Sequence, residues 1–190
     1  MSLTERRRYA AISAFVVYVL VIVGANWMIA NVGTAIPGAH VLPVGFGLSA
    51  PSGVYLAAFA FVARDLLQRL TSMRIGVAAI LIGAGISAFV SSTHLAFASG
   101  VTFLISESAD FAVYTPIQRR SFPLAVLVSG IVSDVIDSVV FLSLAGIPLA
   151  LALKGQLVGK LWVMILGGLL ATAFRKLPIF QYSSEAQTVP

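Results

Sequence analysis

The chain is dominated by apolar runs that are each about as long as a membrane is thick. A helix needs roughly 20 residues to cross a hydrocarbon core of about 30 Å. Five such runs lie at approximately residues 9–30, 52–70, 75–92, 95–116 and 122–145, and a shorter sixth run lies at residues 161–174. Because 59% of the 190 residues are hydrophobic and only 10% are charged, a water-soluble fold would expose too much apolar surface. The sequence therefore predicts an all-α bundle of about six transmembrane helices.

Basic residues gather at alternate ends of these runs. Ten of the 12 lysines and arginines share one side, at residues 6–8, 64, 69, 74, 119, 120, 175 and 176. The opposite gaps hold only Lys154 and Lys160. The positive-inside rule then predicts cytoplasmic amino and carboxyl termini. Because this pattern accounts for the net charge of +5 as a topology signal, we expect the lipid bilayer, and no nucleic acid, as a partner.

Little of the chain is left for a second domain. We expect a single transmembrane domain over residues 1–180 and a polar tail over residues 181–190. The segment Asn31–Pro51 is rich in glycine and proline, which predicts an irregular outer loop that partly re-enters the membrane. Residues 146–155 are expected to form another partly buried outer loop. The absence of cysteine excludes disulfides and thiolate metal sites, and we expect no cofactor, no metal and no catalytic residue.

Four carboxylates interrupt the fourth and fifth runs, at Glu107, Asp110, Asp134 and Asp137. An ionised side chain at the bilayer centre costs about 2.5–3.5 kcal/mol even on lenient insertion scales, so these acids should face a bundle interior or a water-filled site. Helical spacing adds further side chains to the same faces, namely Phe103, Tyr114, Ser138 and Phe141. The pattern predicts a mid-membrane binding site lined by carboxylates and aromatic rings.

Each acid could instead serve the fold by pairing with another polar side chain. Since the fourth and fifth runs contain no lysine or arginine, an ion pair would require Arg64 or another residue at a helix end. Neighbouring serines could satisfy Asp134, and Asn26 could either contact a ligand or tie two helices together. Tyr114 could be an interface anchor. Two transport mechanisms stay open: a proton carried with the substrate, or a fixed template of acceptors for the donors of a ligand.

Three motifs give a resemblance to a known family. They are Phe61-Val62-Ala63-Arg64-Asp65-Leu66, Ser106-Glu107-x-x-Asp110-x-x-Val113-Tyr114, and Ser129 followed by Asp137-Ser138-x-x-Phe141. With them the chain resembles the putative vitamin uptake transporter family, whose best-understood members carry queuosine precursors. The resemblance implies a six-helix importer in the bacterial inner membrane for nucleobase-like 7-deazaguanines such as preQ0 and preQ1. It also implies site residues at Asn26, Asp65, Glu107, Asp110, Asp137 and Ser138.

Two other functions fit the same acids. Glu107, Asp110, Asp134 and Asp137 could form a divalent-cation pathway, because hard cations prefer carboxylate and carbonyl oxygens. Two acids could also act as the general acid and base of an intramembrane enzyme, but no nucleophile–base pair or zinc motif accompanies them, so we expect a transporter and not an enzyme. The sequence contains no phosphate-binding P-loop. An energising partner protein and a homodimer therefore both stay open.

Overall fold

The computed structural model describes residues 2–36, 39–91, 95–174 and 176–180. In these ranges it has six α-helices, which are α1 (Leu3–Asn31), α2 (Val54–Leu70), α3 (Met73–Val90), α4 (Ala96–Ile117), α5 (Phe122–Leu144) and α6 (Leu149–Phe174). A short 3-10 turn follows at Pro178–Phe180. Five of the helices, all but α2, are long and apolar enough to cross a membrane. The predicted helical membrane bundle is confirmed, whereas the predicted polar tail lies outside the described residues.

Helix α2 is the central element of the bundle. It has 17 residues, and at 1.5 Å per residue it is about 25 Å long. It packs against every other helix, while α1, α3, α4, α5 and α6 follow one another around it. Two of its three charged residues, Arg64 and Asp65, are almost fully buried. The surrounding helices therefore shield the charges of α2 from the lipid.

Helices α1, α3 and α5 begin at the end of the bundle where α2, α4 and α6 finish. Serine side chains cap all three of these helix starts, at Ser2, Ser72 and Ser121. Arginines satisfy carbonyl oxygens at the same end. Arg7 Nε donates to the carbonyl of Leu70 at 2.9 Å, and Arg69 Nε donates to that of Phe180 at 2.8 Å. We call this the basic end, and which side of the membrane it faces stays a prediction.

The glycine- and proline-rich segment is a small antiparallel sheet, so the expectation of an irregular loop is wrong. Its strands are β1 (Thr34–Ile36), β2 (Ala39–Gly45) and β3 (Leu48–Pro51), in the order β1-β2-β3. Phe46 and Gly47 join β2 to β3 with φ angles of 55° and 70°, the positive values of a tight type I′ hairpin turn. Pro43 has no N–H to donate and lies beside a shift in the strand register. The backbone of this segment is therefore hydrogen-bonded between strands, whereas the sequence pattern predicts an irregular backbone.

The sheet lies at the opposite end of the bundle, which we call the hairpin end, and packs between α1 and α6. Trp162 Nε1 of α6 donates to the carbonyl of Val44 at 3.2 Å. Gly155 of α6 lies against the backbone of Ser49, and a Cβ at this glycine would overlap the Ser49 carbonyl. The close approach of helix and sheet therefore depends on the missing side chain of Gly155.

The expectation of an outer loop over residues 146–155 is also wrong, because α6 already begins at Leu149. Helix α5 ends in a Schellman motif. Gly146 has a φ of 69°, and the amide of Ile147 donates to the carbonyl of Leu142 at 2.9 Å. This motif reverses the chain within a few residues, so only a short turn separates α5 from α6.

The two lysines that interrupt the sixth apolar run lie inside α6. Lys154 is exposed in the second turn of the helix, where a long side chain can extend toward the headgroup region. Lys160 lies about three turns into the helix and is only 1% exposed. Two acids of α5 face Lys160, as described below, and they compensate its charge. The lysines therefore interrupt the hydrophobic pattern without interrupting the helix.

We expect Gly155→Ala to destabilise the protein because the new methyl group would push α6 away from β3. Overpacking of this kind typically costs about 1–3 kcal/mol. The measurement is the thermal unfolding midpoint of the purified protein in detergent. Gly168→Ala is the matched control on the same helix, because a Cβ there would lie 3.8 Å from its nearest neighbour, the Cβ of Leu127. Equal unfolding midpoints for the two variants would contradict the proposed role of Gly155.

Candidate functional site

Five of the seven acidic residues of the chain lie in the interior of the bundle, at Asp65, Glu107, Asp110, Asp134 and Asp137. Two basic side chains, Arg64 and Lys160, are buried with them. The seven charges form two groups, one around each cation. A charge that leaves water is costly unless partners of opposite sign compensate it. Each cation therefore organises the acids around it.

The arginine cluster consists of Arg64, Asp65, Glu107 and Asp110. Arg64 Nε donates to Glu107 Oε2 at 2.9 Å. Arg64 Nη2 forms ion pairs with Asp65 Oδ1, at 3.0 Å, and with Asp110 Oδ2. Arg64 Nη1 donates to Gln68 Oε1 at 2.6 Å. All the nitrogens of the guanidinium group are thus engaged, and the side chain is 0% exposed.

Hydroxyl groups on two other helices complete the arginine cluster. Tyr114 Oη donates to the backbone carbonyl of Asp65 at 3.0 Å, and the Tyr114 ring lies 5.6 Å from the Arg64 Cζ. Ser133 Oγ of α5 donates to Asp110 Oδ1 at 3.2 Å. These contacts join α2, α4 and α5 through one buried polar network. The cluster lies near the basic end, since Arg64 is six residues, or about 9 Å, before the end of α2.

The lysine cluster consists of Lys160, Asp134, Asp137 and Ser138. Lys160 Nζ lies 2.6 Å from Asp137 Oδ2 and 3.3 Å from Asp134 Oδ1. It also donates to Ser138 Oγ at 3.0 Å, and this hydroxyl donates to Asp134 Oδ1 at 3.1 Å. Asp137 is the most exposed charge of the cluster, with 15% of its side chain accessible. One ammonium thus bridges two carboxylates of α5.

A cavity of about 70 Å³ adjoins the lysine cluster. All six helices contribute to its wall, and Pro51 of β3 closes part of the hairpin end. Its polar lining comes from Asn26, Ser87, Ser99, Thr102, Asp137, Gln156 and Lys160. Its aromatic lining comes from Phe61, Phe103 and Phe141. The cavity therefore combines hydrogen-bonding groups and flat apolar rings in one space.

Two acceptors in the cavity wall have no hydrogen-bond partner among the described residues. They are Thr102 Oγ1 and Gln156 Oε1. A buried acceptor without a donor costs about 1–3 kcal/mol, so each such atom requires an explanation. A ligand with N–H groups would supply the missing donors. Glu107 Oε1, in the arginine cluster, is likewise without a partner in the described part of the chain.

Asn26 both lines the cavity and ties α1 to α3. Its Nδ2 donates to the carbonyl of Ile22 at 2.9 Å and to Ser87 Oγ at 3.4 Å. Its Oδ1 accepts a hydrogen bond of 2.6 Å from Ser91 Oγ. Of the two roles that the sequence left open, the hydrogen bonds show the tie between helices, and the contact with a ligand stays a prediction.

The predicted site residues fall into three sets. Asn26, Phe103, Asp137 and Phe141 line the cavity. The second set, in and around the arginine cluster, is Asp65, Glu107, Asp110 and Tyr114. Asp134 and Ser138 contact Lys160 from outside the lining. The four acids of α4 and α5 therefore lie in two clusters, and Ser106 Oγ of α4 donates to Asp137 Oδ1 at 3.2 Å.

Sequence reasoning named Arg64 as a candidate ion-pair partner but missed Lys160, Gln156 and Thr102. A signal for two of them was present in the sequence. Gln156 and Lys160 are four residues apart, so they share one face of a helix in an otherwise apolar run. Treating this run as a helix from residue 149 onward would have placed an ammonium opposite the carboxylates of the fifth helix. Thr102 gave no comparable signal.

A second cleft, of about 360 Å³, lies among α1, α2, α5 and α6. Except for Ser13, its wall consists of apolar residues, among them Val17, Phe59, Leu66 and Leu170. Among the residues that the structure describes, none in this wall is ionisable. Of these two spaces, the smaller cavity is the one lined by charged side chains, Asp137 and Lys160.

The fold and the cavity define a helical membrane bundle with a buried polar site. Residues 86–179 match the family model described as "Putative vitamin uptake transporter", which confirms the family predicted from the sequence motifs. The matched segment contains α4, α5, α6 and the whole lysine cluster. No curated protein and no solved structure matches the chain. The family and the five long apolar helices identify a multi-pass membrane protein of the small-molecule uptake class.

We expect Arg64→Met to destabilise the fold strongly, because three buried carboxylates would lose their cation. Removing one partner of a buried ion pair typically costs about 3–5 kcal/mol. Arg64→Lys should lie between the wild type and Arg64→Met, because an ammonium keeps the charge but not the fork of donors. The measurement is the thermal unfolding midpoint in detergent, with Arg74→Met, at an exposed position of α3, as the control. A wild-type midpoint for Arg64→Met would contradict the role given to the arginine cluster.

Proposed function

We propose that this protein imports a queuosine precursor, a 7-deazaguanine base such as preQ0 or preQ1, across the bacterial plasma membrane. The family match supports small-molecule uptake. The observation that carries the choice of substrate is the composition of the cavity wall. There, the Asp137 carboxylate and the unpaired acceptors of Thr102 and Gln156 share one space with three phenylalanine rings.

The chemistry of a deazaguanine matches this wall. Its edge presents a ring N–H and an exocyclic amine side by side, and a carboxylate can accept two parallel hydrogen bonds from such donors. Its two faces are flat and can stack on aromatic rings such as Phe103 and Phe141. The amide of Gln156 has donors and an acceptor, so it can pair with either kind of group on the ring. A smaller or purely apolar solute would leave most of these groups unused.

The size of the cavity indicates how binding must proceed. At about 70 Å³ the cavity is well below the roughly 300 Å³ at which ligand pockets begin. Side chains or helices must therefore move apart before a heterocycle can enter. A carrier needs at least two such arrangements, and ligand binding shifts the population between them. We assign the described structure to the closed arrangement.

Each cluster has its own part in this proposal. Asp137, Asn26, Phe103 and Phe141 contact the substrate from the cavity wall. The arginine cluster fixes α2 against α4 and α5 and so positions that wall. Within it, Glu107 contributes the free Oε1 atom, which is available for a further donor. Asp65 and Asp110 hold Arg64 in place.

The divalent-cation alternative has no observation in its favour. Each group of acids already contains a buried cation, Arg64 or Lys160, that competes with a metal ion. Within the described ranges, no group of three or more His, Asp or Glu side chains is arranged to hold a metal. We therefore retain the heterocycle as the proposed substrate.

The first test is rescue of queuosine synthesis. A bacterium that can neither make nor import queuosine precursors is supplied with this protein and with preQ0 or preQ1 at low concentration, and queuosine is then assayed in its tRNA. Charge-assisted hydrogen bonds contribute about 1.5–3 kcal/mol, so Asp137→Asn should lower uptake at least about tenfold. Ser143→Ala, at an exposed position of α5, is the matched control. No rescue by wild-type protein that reaches the membrane would refute the proposed substrate.

Gln156→Leu provides a separate prediction for the cavity wall. We expect uptake to show a KM raised by about fivefold or more, because the ligand loses a partner. The unfolding midpoint should stay equal or rise, since the variant removes a buried acceptor that lacks a donor in the described structure. Gln118→Leu is the matched control, because Gln118 also has an unpaired buried amide but lies outside the cavity lining. Equal KM values for the two variants would remove Gln156 from the site.

A further inference from the structure

We propose that Lys160 occupies the ligand's place on Asp137 in the closed state, and that a bound ligand displaces its ammonium group onto Asp134. Lys160 would then act as an internal competitor that sets the affinity of the site. This inference rests on the proposed function, because it concerns how the same cavity accepts a hydrogen-bond donor.

The first argument is the position of the two carboxylates. Asp137 and Lys160 both line the cavity, whereas Asp134 and Ser138 are outside the lining. The ammonium lies between them, 2.6 Å from Asp137 Oδ2 and 3.3 Å from Asp134 Oδ1. A donor that enters the cavity therefore meets an Asp137 oxygen that Lys160 already holds. Because Asp137 Oδ1 already accepts a hydrogen bond from Ser106 Oγ at 3.2 Å, a ligand with two parallel donors competes with the ammonium for Oδ2.

The second argument is that the ammonium keeps partners when it leaves Asp137. Lys160 Nζ already contacts Asp134 Oδ1 at 3.3 Å and Ser138 Oγ at 3.0 Å, so the ammonium can turn away from Asp137 and keep both of these partners. A lysine side chain is flexible and its ammonium is a point charge, so it can redirect its three protons without a fixed geometry. The planar guanidinium group of an arginine has donors in fixed directions and would not allow the same adjustment.

The third argument is the charge of the cluster. One ammonium faces two carboxylates, so Lys160, Asp134 and Asp137 together carry a formal charge of −1. A ligand that donates to Asp137 replaces the hydrogen bond that this carboxylate loses when the ammonium leaves, while Asp134 continues to compensate Lys160. At no stage is the buried ammonium without a carboxylate, and this avoids the large cost of an unpaired buried charge. The second acid, Asp134, is thus the reason why the exchange is possible.

If Lys160 competes with the ligand, substitutions at Lys160 and at Asp134 should change the ligand affinity in opposite directions. The apparent affinity of a ligand falls with the fraction of sites that are competent to bind it. Lys160→Met removes the competitor and should tighten binding. Asp134→Asn removes the alternative partner, so Lys160 stays on Asp137 and binding should weaken. In the double variant the competitor is gone, so binding should again be tighter than in Asp134→Asn.

The experiment measures binding of preQ0 to the full-length wild type and the three variants by calorimetry in detergent. Couplings between interacting groups are typically 5- to 150-fold, so we expect changes of about fivefold or more in each stated direction. Lys154→Met, at an exposed position of α6, is the control and should bind like the wild type. Unfolding midpoints are recorded for all proteins. Asp134→Asn keeps Lys160 and Asp137 as a balanced pair, so this variant tests the proposal even where Lys160→Met does not fold.

The outcomes separate the competition from the proposed substrate. Weaker binding by a folded Lys160→Met would show that Lys160 contacts the ligand, and it would overturn the competition. Equal or tighter binding by Asp134→Asn would overturn it as well. If Lys160→Met binds preQ0 and the wild type does not, the result would support the competition. If none of the proteins binds preQ0, the proposed substrate fails, and the competition falls with it.

Discussion

The structure depends on the compensation of one buried guanidinium group. Arg64 is 0% exposed on the central helix, and carboxylates from its own helix and from α4 surround it. A charge in this environment is stable only with close partners of opposite sign, because the low dielectric raises the cost of every unpaired ion. The two acids of α4, Glu107 and Asp110, therefore fix this helix against α2, and hydroxyl groups on α5 extend the network. The apolar helices shield this network from lipid.

The two ion clusters differ in how freely they can rearrange. In the arginine cluster, the planar guanidinium group donates in fixed directions, so it fits its partners in one arrangement. In the lysine cluster a flexible ammonium faces two acids, and the cavity adjoins only one of them. The first cluster is suited to hold helices together, and the second to exchange partners. The difference between the two cationic side chains thus separates a rigid part of the interior from an adaptable one.

The cavity and the arginine cluster lie at different depths. Asp137 is seven residues, or about 10 Å, before the end of α5 at the hairpin end, whereas Arg64 is about 9 Å from the basic end. The buried ion pairs therefore separate the cavity from the basic end, and β3 borders the cavity on the other side. Under the predicted topology, the cavity lies toward the side from which an imported solute arrives.

The sequence by itself determined the bundle, the helices and the acids that must avoid lipid, because hydrophobicity and helical period act locally. It also determined the family, through short motifs around Glu107 and Asp137. Only the tertiary structure decided which acid meets which cation, because Arg64 and Lys160 pair with acids on other helices that are 23 to 46 residues away in the chain. The sheet was missed for a related reason: strand pairing satisfies the backbone between segments, and Phe46 occupies the first turn position, where a type I′ hairpin usually has Asn, Asp or Gly. From the sequence alone, Lys160 interrupts the sixth apolar run, because the acids that compensate its charge lie on another helix.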